Sequence, residues 1–211
     1  MEYNEYRGVR KLVVAEITGD DSSGYTTGNW QELSGVQGIT ETPNESTETH
    51  FYDNKAAIVI DAEGADEIEL VVSILANKTR ALIEGTSYSE TNNLVVGTPK
   101  KKKYFAIGYI GEKTDGTEEI NIKYKGKFSG GAITRNTKND GTEATNVTYT
   151  FTSIYTTANI FTSTGSTADK PAKNVVVPIG TKVTEAAVFG TFTDGESTLD
   201  VMTPDEIKAL A

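Results

Sequence analysis

The chain has no cysteine and a single histidine, His50, among its 211 residues. Without thiols it can form no disulfide framework, thiolate zinc site or cysteine nucleophile. A serine–histidine triad would have to use His50, and no serine stands in the G-x-S-x-G setting of a hydrolase nucleophile. We therefore expect a protein that is not an enzyme and that has no catalytic residue, cofactor or metal site.

Long apolar runs and an excess of positive charge are also missing. No run approaches the roughly 20 apolar residues that a membrane-spanning helix needs. Near the N-terminus only Leu12 to Ala15 is continuously apolar, which is too short for the core of a signal peptide. The formal net charge of −10 argues against a protein that mainly grips phosphate backbones. We expect a product that is made in the cytoplasm and does not enter a membrane.

Short β-strand patterns recur along the chain, separated by clusters of Gly, Asn, Asp, Ser and Thr. This spacing is typical of an antiparallel sandwich or barrel. The predicted strands are Arg10 to Thr18, Ala56 to Asp61, Glu67 to Leu75, Tyr104 to Glu112, Thr117 to Phe128 and Asn146 to Tyr155. One short helix is predicted from Asn77, its N-cap, to Gly85, its C′ residue.

A long hairpin from Lys103 to Phe128 is the clearest element. Asp115-Gly116 suits its tight turn, which requires positive backbone φ angles. Its second arm alternates with period two, which is the mark of a half-buried strand. One face takes Ile120, Ile122, Tyr124 and Phe128, and the other takes Glu119, Asn121, Lys123, Lys125 and Lys127.

Two long polar segments, Gly19 to Asn29 and Thr40 to His50, are predicted to be loops. The second has no apolar residue apart from Pro43, so it cannot bury a core of its own. The basic run Lys100 to Lys103 stands directly before a strand. It indicates contact with nucleic acid or with acidic residues of a neighbouring subunit, or else a solvated strand entrance that discourages edge pairing.

The composition also predicts a division of the chain. Residues 1–162 would form the main β domain, residues 163–174 a linker and residues 175–211 a C-terminal β extension. Within the extension, Val175 to Pro178 and Ala186 to Phe192 read as strands, and 193–196 as a turn. The capping box that starts at Thr203 predicts a short terminal helix.

The hairpin sequence KYFAIGYIGEKTDGTEEINIKYKGKF resembles the major tail proteins of bacteriophages with long non-contractile tails, the phi13-type group. In that family a YFAIGY-like arm precedes a lysine-alternating arm. The segment Phe51-Tyr52-Asp53-Asn54-Lys55 resembles the family's tyrosine–aspartate turn. The resemblance runs from about Tyr6 to about Thr162. It implies a tail-tube β-sandwich or barrel with one short flanking helix.

The resemblance also implies a function and a location. Subunits of such proteins form hexameric rings that stack into a tube, through which DNA is ejected into the host. The implied partners are copies of the chain, other tail proteins such as the tape measure, the tail terminator and the distal tail protein, and passing DNA that is not bound specifically. The implied location is the virion tail, assembled in the host cytoplasm.

Two contact regions follow from the resemblance. The inter-ring stacking loop would comprise Thr40, Glu41, Thr42, Pro43, Asn44, Glu45, Thr49, His50, Phe51, Tyr52, Asp53 and Asn54. The inter-subunit hairpin would contribute Tyr104, Phe105, Tyr109, Lys123, Tyr124 and Lys125. The alternative is an immunoglobulin-like binding or decoration module on a virion or cell surface, which the threonine-rich strands and the segment from Val175 to Ala211 favour.

Overall fold

A computed structural model describes residues 4–33, 35–53, 55–133 and 145–211. Over these ranges the chain is mainly β, as the sequence predicts, and its strands pair antiparallel. The strands are β1 (Tyr6–Asp21), β2 (Gly24–Thr27), β3 (Gln31–Glu32), β4 (Val36–Thr42), β5 (Glu45–Tyr52), β6 (Lys55–Glu63), β7 (Asp66–Val72), β8 (Ser87–Ser89), β9 (Leu94–Val96), β10 (Phe105–Lys113), β11 (Glu118–Ala132), β12 (Val147–Ser153), β13 (Asn174–Pro178), β14 (Phe192–Thr193) and β15 (Glu196–Ser197). The helices are α1 (Asn77–Glu84), α2 (Glu185–Phe189) and α3 (Pro204–Leu210).

The body of the molecule is one curled sheet. Its central strands follow the order β1-β10-β11-β12-β7-β4, and the sheet curls so that β4 returns beside β1. Alternation places one set of side chains inside the curl, because successive residues of a strand point to opposite faces. In β7, for example, Ile68, Leu70 and Val72 are buried, whereas Glu67 and Glu69 are exposed. The side chains inside the curl form the first core.

The first core is aliphatic and aromatic, and α1 contributes to it through Ile83. Its aromatic rings meet edge to face: Phe128 lies 5.5 Å from Phe105 and 5.0 Å from Phe151, measured between ring centroids. Such pairs add about 0.5–1.5 kcal/mol each beyond the burial of their area. Buried members include Leu12, Val14, Leu33, Ile68, Leu70, Val72, Leu75, Ile107, Tyr109, Val147 and Tyr149.

A second core covers the outer face of β1, β10 and β11, and most of its cover comes from the C-terminal part of the chain. Strand β13 pairs with β11, and the β14–β15 hairpin reaches β1 through β3. Trp30 and Phe189 lie perpendicular at 5.4 Å in this layer. Other buried members are Val13, Ala15, Ala106, Ile110, Ile120, Ile122, Tyr124, Val183, Val188, Val201 and Ile207. Residues 175–211 therefore share both sheet and core with the rest of the chain.

The long hairpin is confirmed as β10 and β11, but its polar face is not solvated. Glu119, Asn121, Lys123 and Lys125 are each at most 9% exposed, because β11 is covered on both sides. Phe128 also departs from the predicted face. A register shift places one extra residue in β11 between the pairs Ile107–Lys123 and Phe105–Gly126. This bulge turns Phe128 into the first core.

Several local predictions are wrong. Gly19 to Asn29 is largely the β1–β2 hairpin, and Thr40 to His50 is the end of β4 and most of β5. The segment Ala186 to Phe192 was predicted to be a strand. Its first four residues instead belong to helix α2, whose N-cap is Thr184, and only Phe192 belongs to a strand, β14. The N-cap of α1 is Ala76, without a side-chain cap, whereas Gly85 does adopt the left-handed conformation that was predicted. The capping box of α3 is confirmed.

The closeness of the C-terminal layer to β10 generates a prediction at Gly108. A Cβ at this position would lie 2.6 Å from a ring carbon of Phe189 and 3.1 Å from a methyl of Val13. We expect Gly108→Ala to lower the free energy of unfolding in urea by about 1–3 kcal/mol, since overpacking strains a filled core. Gly38→Ala is the matched control, because no atom lies within 4 Å of its Cβ. Equal stability of both variants would contradict this packing.

Candidate functional site

A two-stranded arm, formed by β5 and β6, stands apart from the curled sheet. Among the described strands, β5 and β6 pair only with each other, from Glu45–Glu63 at the base to Tyr52–Lys55 at the tip. Asp53 at the tip has a positive φ of 50°. Strand β5 has eight residues, so at roughly 3.3 Å per residue the arm is about 26 Å long.

The arm exposes apolar side chains to water. Tyr52, Ile58, Val59 and Ile60 are 60%, 47%, 58% and 50% exposed. Isolated two-stranded hairpins are marginally stable in water, and clustered exposed apolar residues mark interaction surfaces. The arm is also acidic, with Glu45, Glu48, Asp53, Asp61 and Glu63 against a single basic residue, Lys55. These properties suit a surface that is covered by a partner.

A buried lysine fixes the base of the arm. The Lys173 Nζ is 2.6 Å from Glu63 Oε1 and 3.1 Å from Asp66 Oδ1, and the lysine side chain is only 5% exposed. Burial disfavours the charged form of Lys173, but its hydrogen bonds to Glu63 and Asp66 prevail and raise its pKa. Lys173 and then the Tyr155 hydroxyl donate to Glu63 and lower the pKa of Glu63. The arm thus starts from an ion-paired base.

The described residues of the predicted inter-ring stacking loop fall into three groups: strand β4, a short connection and the arm. Thr40, Glu41 and Thr42 belong to β4, where they pair with β7 in the body of the sheet. Pro43 and Asn44 connect β4 to the arm, and the Asn44 carbonyl accepts from the Gly64 backbone N–H at 2.7 Å. The arm itself carries Glu45, Thr49, His50, Phe51, Tyr52 and Asp53. Asn54 lies outside the described residues.

Glu41 takes part in a polar cluster inside the molecule. Its carboxylate accepts hydrogen bonds from the Tyr109 hydroxyl and from the Lys123 ammonium, the latter at 2.8 Å. Burial and then the neighbouring Glu41 carboxylate raise the pKa of Tyr109. A cavity of about 470 Å³ opens beside this cluster, between β4 and the start of β1. Glu41 therefore joins β4 to the central hairpin within the chain.

The predicted inter-subunit hairpin residues are mostly buried within the chain. Phe105, Tyr109, Lys123, Tyr124 and Lys125 are at most 9% exposed. Tyr104 is the member that remains accessible, at 38%. The side chains of the other five residues are engaged inside the subunit.

Lys125 forms a second buried ion pair, which the alternating sequence pattern did not indicate. Its Nζ lies 2.5 Å from Asp20 Oδ2, and both side chains are nearly inaccessible. Asp20 Oδ1 also accepts backbone N–H groups of Thr157 and Ala158, each at 2.8 Å. Burial alone would raise the pKa of Asp20, but the hydrogen bonds from Ala158, Lys125 and Thr157 lower it. This pair ties β1 and β11 to residues 157–158.

No protein-family model and no curated protein matches the chain. Among the described residues, no group of three or more histidine and acidic side chains is placed to hold a metal ion. None of the described helices has the length and hydropathy to cross a bilayer. The candidate functional site is therefore the arm and its anchored base.

The buried base generates a prediction about the arm. Lys173→Met removes the cation that Glu63 and Asp66 share. We expect arm amides to exchange hydrogen for deuterium roughly tenfold faster or more, because local opening no longer breaks the ion pairs. Amides of β10 and β11 should keep their protection.

The control is Lys103→Met, which removes the more exposed ion pair with Glu16; exposed pairs contribute about 0–1 kcal/mol. Unchanged exchange in the arm of Lys173→Met would show that the lysine does not anchor it.

Proposed function

We propose that this chain is a self-assembling structural protein, the major tail tube subunit of a bacteriophage with a long non-contractile tail. Its hexameric rings would stack into the conduit for DNA ejection. The observation that carries the proposal is the arm: an acidic hairpin with exposed Ile58, Val59 and Ile60, held at its base by an ion pair with the buried Lys173. The β10–β11 hairpin and the tip of the arm resemble bacteriophage tail proteins, and for this reason we propose a tail tube as the kind of assembly.

The arm supports self-assembly because its apolar surface has no cover within the described chain. A contact between two different surfaces of identical subunits repeats from copy to copy. It closes into a ring where the rotation permits and otherwise continues as an open tube. An arm that reaches about 26 Å from its base can cross from one subunit to the next. The partners of the chain in this proposal are first of all its own copies.

The face of the sheet that lacks the C-terminal layer suits a wall past which DNA moves. Rows of paired residues cross β12, β7 and β4 on this face: Thr152–Glu67–Thr42 and Thr150–Glu69–Thr40. Hydroxyls and carboxylates dominate these rows. Because affinity for DNA depends on cations that neutralise phosphates, such a wall would let a duplex slide without specific binding.

The proposed location, neighbouring proteins and structural role follow from the resemblance to tail tube proteins. The subunit would act in the virion tail beside the tape measure, tail terminator and distal tail proteins, as a structural protein and not an enzyme. A binding or decoration module is the competing class. Such a module would remain monomeric at high concentration, whereas a tube subunit would associate with its own copies.

Electron microscopy of the concentrated protein and of an arm-truncated variant tests the proposal. In the variant, Asn-Gly replaces residues 46–62, since Glu45 and Glu63 are paired at the base and a two-residue turn can join them. We expect rings or tubes from the full chain and monomers with an unchanged melting temperature from the truncated variant.

Ser22→Ala, in the exposed turn of the β1–β2 hairpin, is the control and should assemble normally. Monomers of the full chain at every concentration would favour the binding module. Tubes from the truncated variant would show that assembly does not need the arm.

A further inference from the structure

The base of the arm and helix α1 lie at opposite ends of strand β7. Strand β7 starts at Asp66, beside the base of the arm, and leads through Val72 toward α1. Its seven residues span about 23 Å at roughly 3.3 Å each. Lys101 also lies at the α1 end, because its backbone N–H donates to the Gly85 carbonyl at the end of α1. The chain thus has two distinct ends along the strand direction.

The end that carries α1 exposes positive charge, whereas the arm is acidic. The β8–β9 hairpin forms a separate two-stranded sheet there and exposes Leu94 and Val96 by 51% and 45%. Lys100 and Lys101 are exposed, and neither has an ion pair with a described residue. We refer to the β8–β9 hairpin together with Lys100 and Lys101 as the receiving surface.

We propose that the receiving surface of one copy binds the arm of the next copy, head to tail. This inference rests on the proposed tube function and names the two surfaces that would stack its rings. Apolar residues would meet apolar residues: Ile58 and Ile60, which share one face of β6, against Leu94 and Val96. The carboxylates of the arm would meet the lysines of the receiving surface. Each surface would cover the exposed apolar side chains of the other and neutralise its charges.

The geometry favours continuation along one axis. Both surfaces are present on every copy and lie at opposite ends, so each new contact leaves one arm and one receiving surface free. Both partners are also two-stranded sheets with unpaired outer edges among the described strands, and exposed edges can add a strand from another chain. Since the charges on both sides are exposed, the contact should weaken as salt is added.

Cross-linking between copies tests the inference directly, because the chain has no cysteine of its own. Two single variants are prepared, Ile58→Cys in the arm and Leu94→Cys in the receiving surface. Both positions are exposed, so folding should be unaffected, which circular dichroism checks. We expect oxidation of the mixture to produce a disulfide-linked dimer. Each variant alone should give at least tenfold less dimer.

A charge exchange supplies the second measurement. Lys100→Glu with Lys101→Glu should reduce cross-linking of the mixture at least tenfold at low salt. Glu48→Lys, placed on the arm partner, should restore part of it, because Glu48 is paired with Ile60 and lies on the same face of the arm. A combination that restores cross-linking would exclude a general loss of folding as the cause.

The outcomes separate this inference from the proposed function. Tubes of the unmodified chain without cross-linking of the mixed variants would overturn the docking site and leave the tube function standing. Cross-linking of Ile58→Cys with itself in preference to the mixture would also overturn it, because it would indicate an arm-to-arm contact. An unmodified chain that stays monomeric and a mixture that does not cross-link would contradict both.

Discussion

Burial of the β10–β11 hairpin on both faces is the constraint on which the rest of the structure depends. One face completes the core inside the curled sheet, and the other lies beneath the C-terminal layer. Polar residues of β11 then need partners inside the protein, since an unpaired buried charge is costly. Lys123 meets Glu41, and Lys125 meets Asp20. These ion pairs fix β4 and β1 relative to the hairpin.

In the proposed assembly the ends of the molecule make the contacts, because the buried charged groups of the body are paired within the chain. The central hairpin offers little surface to a neighbour, because nearly all of its side chains are engaged within the subunit. The arm has the opposite character: its strands are exposed, its apolar residues are uncovered, and only its base is anchored, by Lys173. A body whose side chains are engaged internally, with one arm that is anchored at its base and exposes apolar residues, is suited to repeated contact between copies.

Regular alternation and local capping signals could be predicted from the sequence, whereas contacts between distant positions could not. The β10–β11 hairpin, the end of α1 at Gly85 and the capping box of α3 are local patterns, and each is confirmed. The burial of Lys125 depends on Asp20, more than a hundred residues away, and no local signal reports it. Strand β5 was missed because ESTETHFY lacks apolar alternation and is ordered by backbone pairing with β6.

Self-association through different surfaces is the central claim, and sedimentation velocity over a wide range of protein concentration tests it most directly. The account predicts species larger than the 22.7 kDa chain, whose sedimentation coefficients keep rising with concentration and fall when salt is added. A single monomeric boundary at all concentrations and at low salt would contradict it.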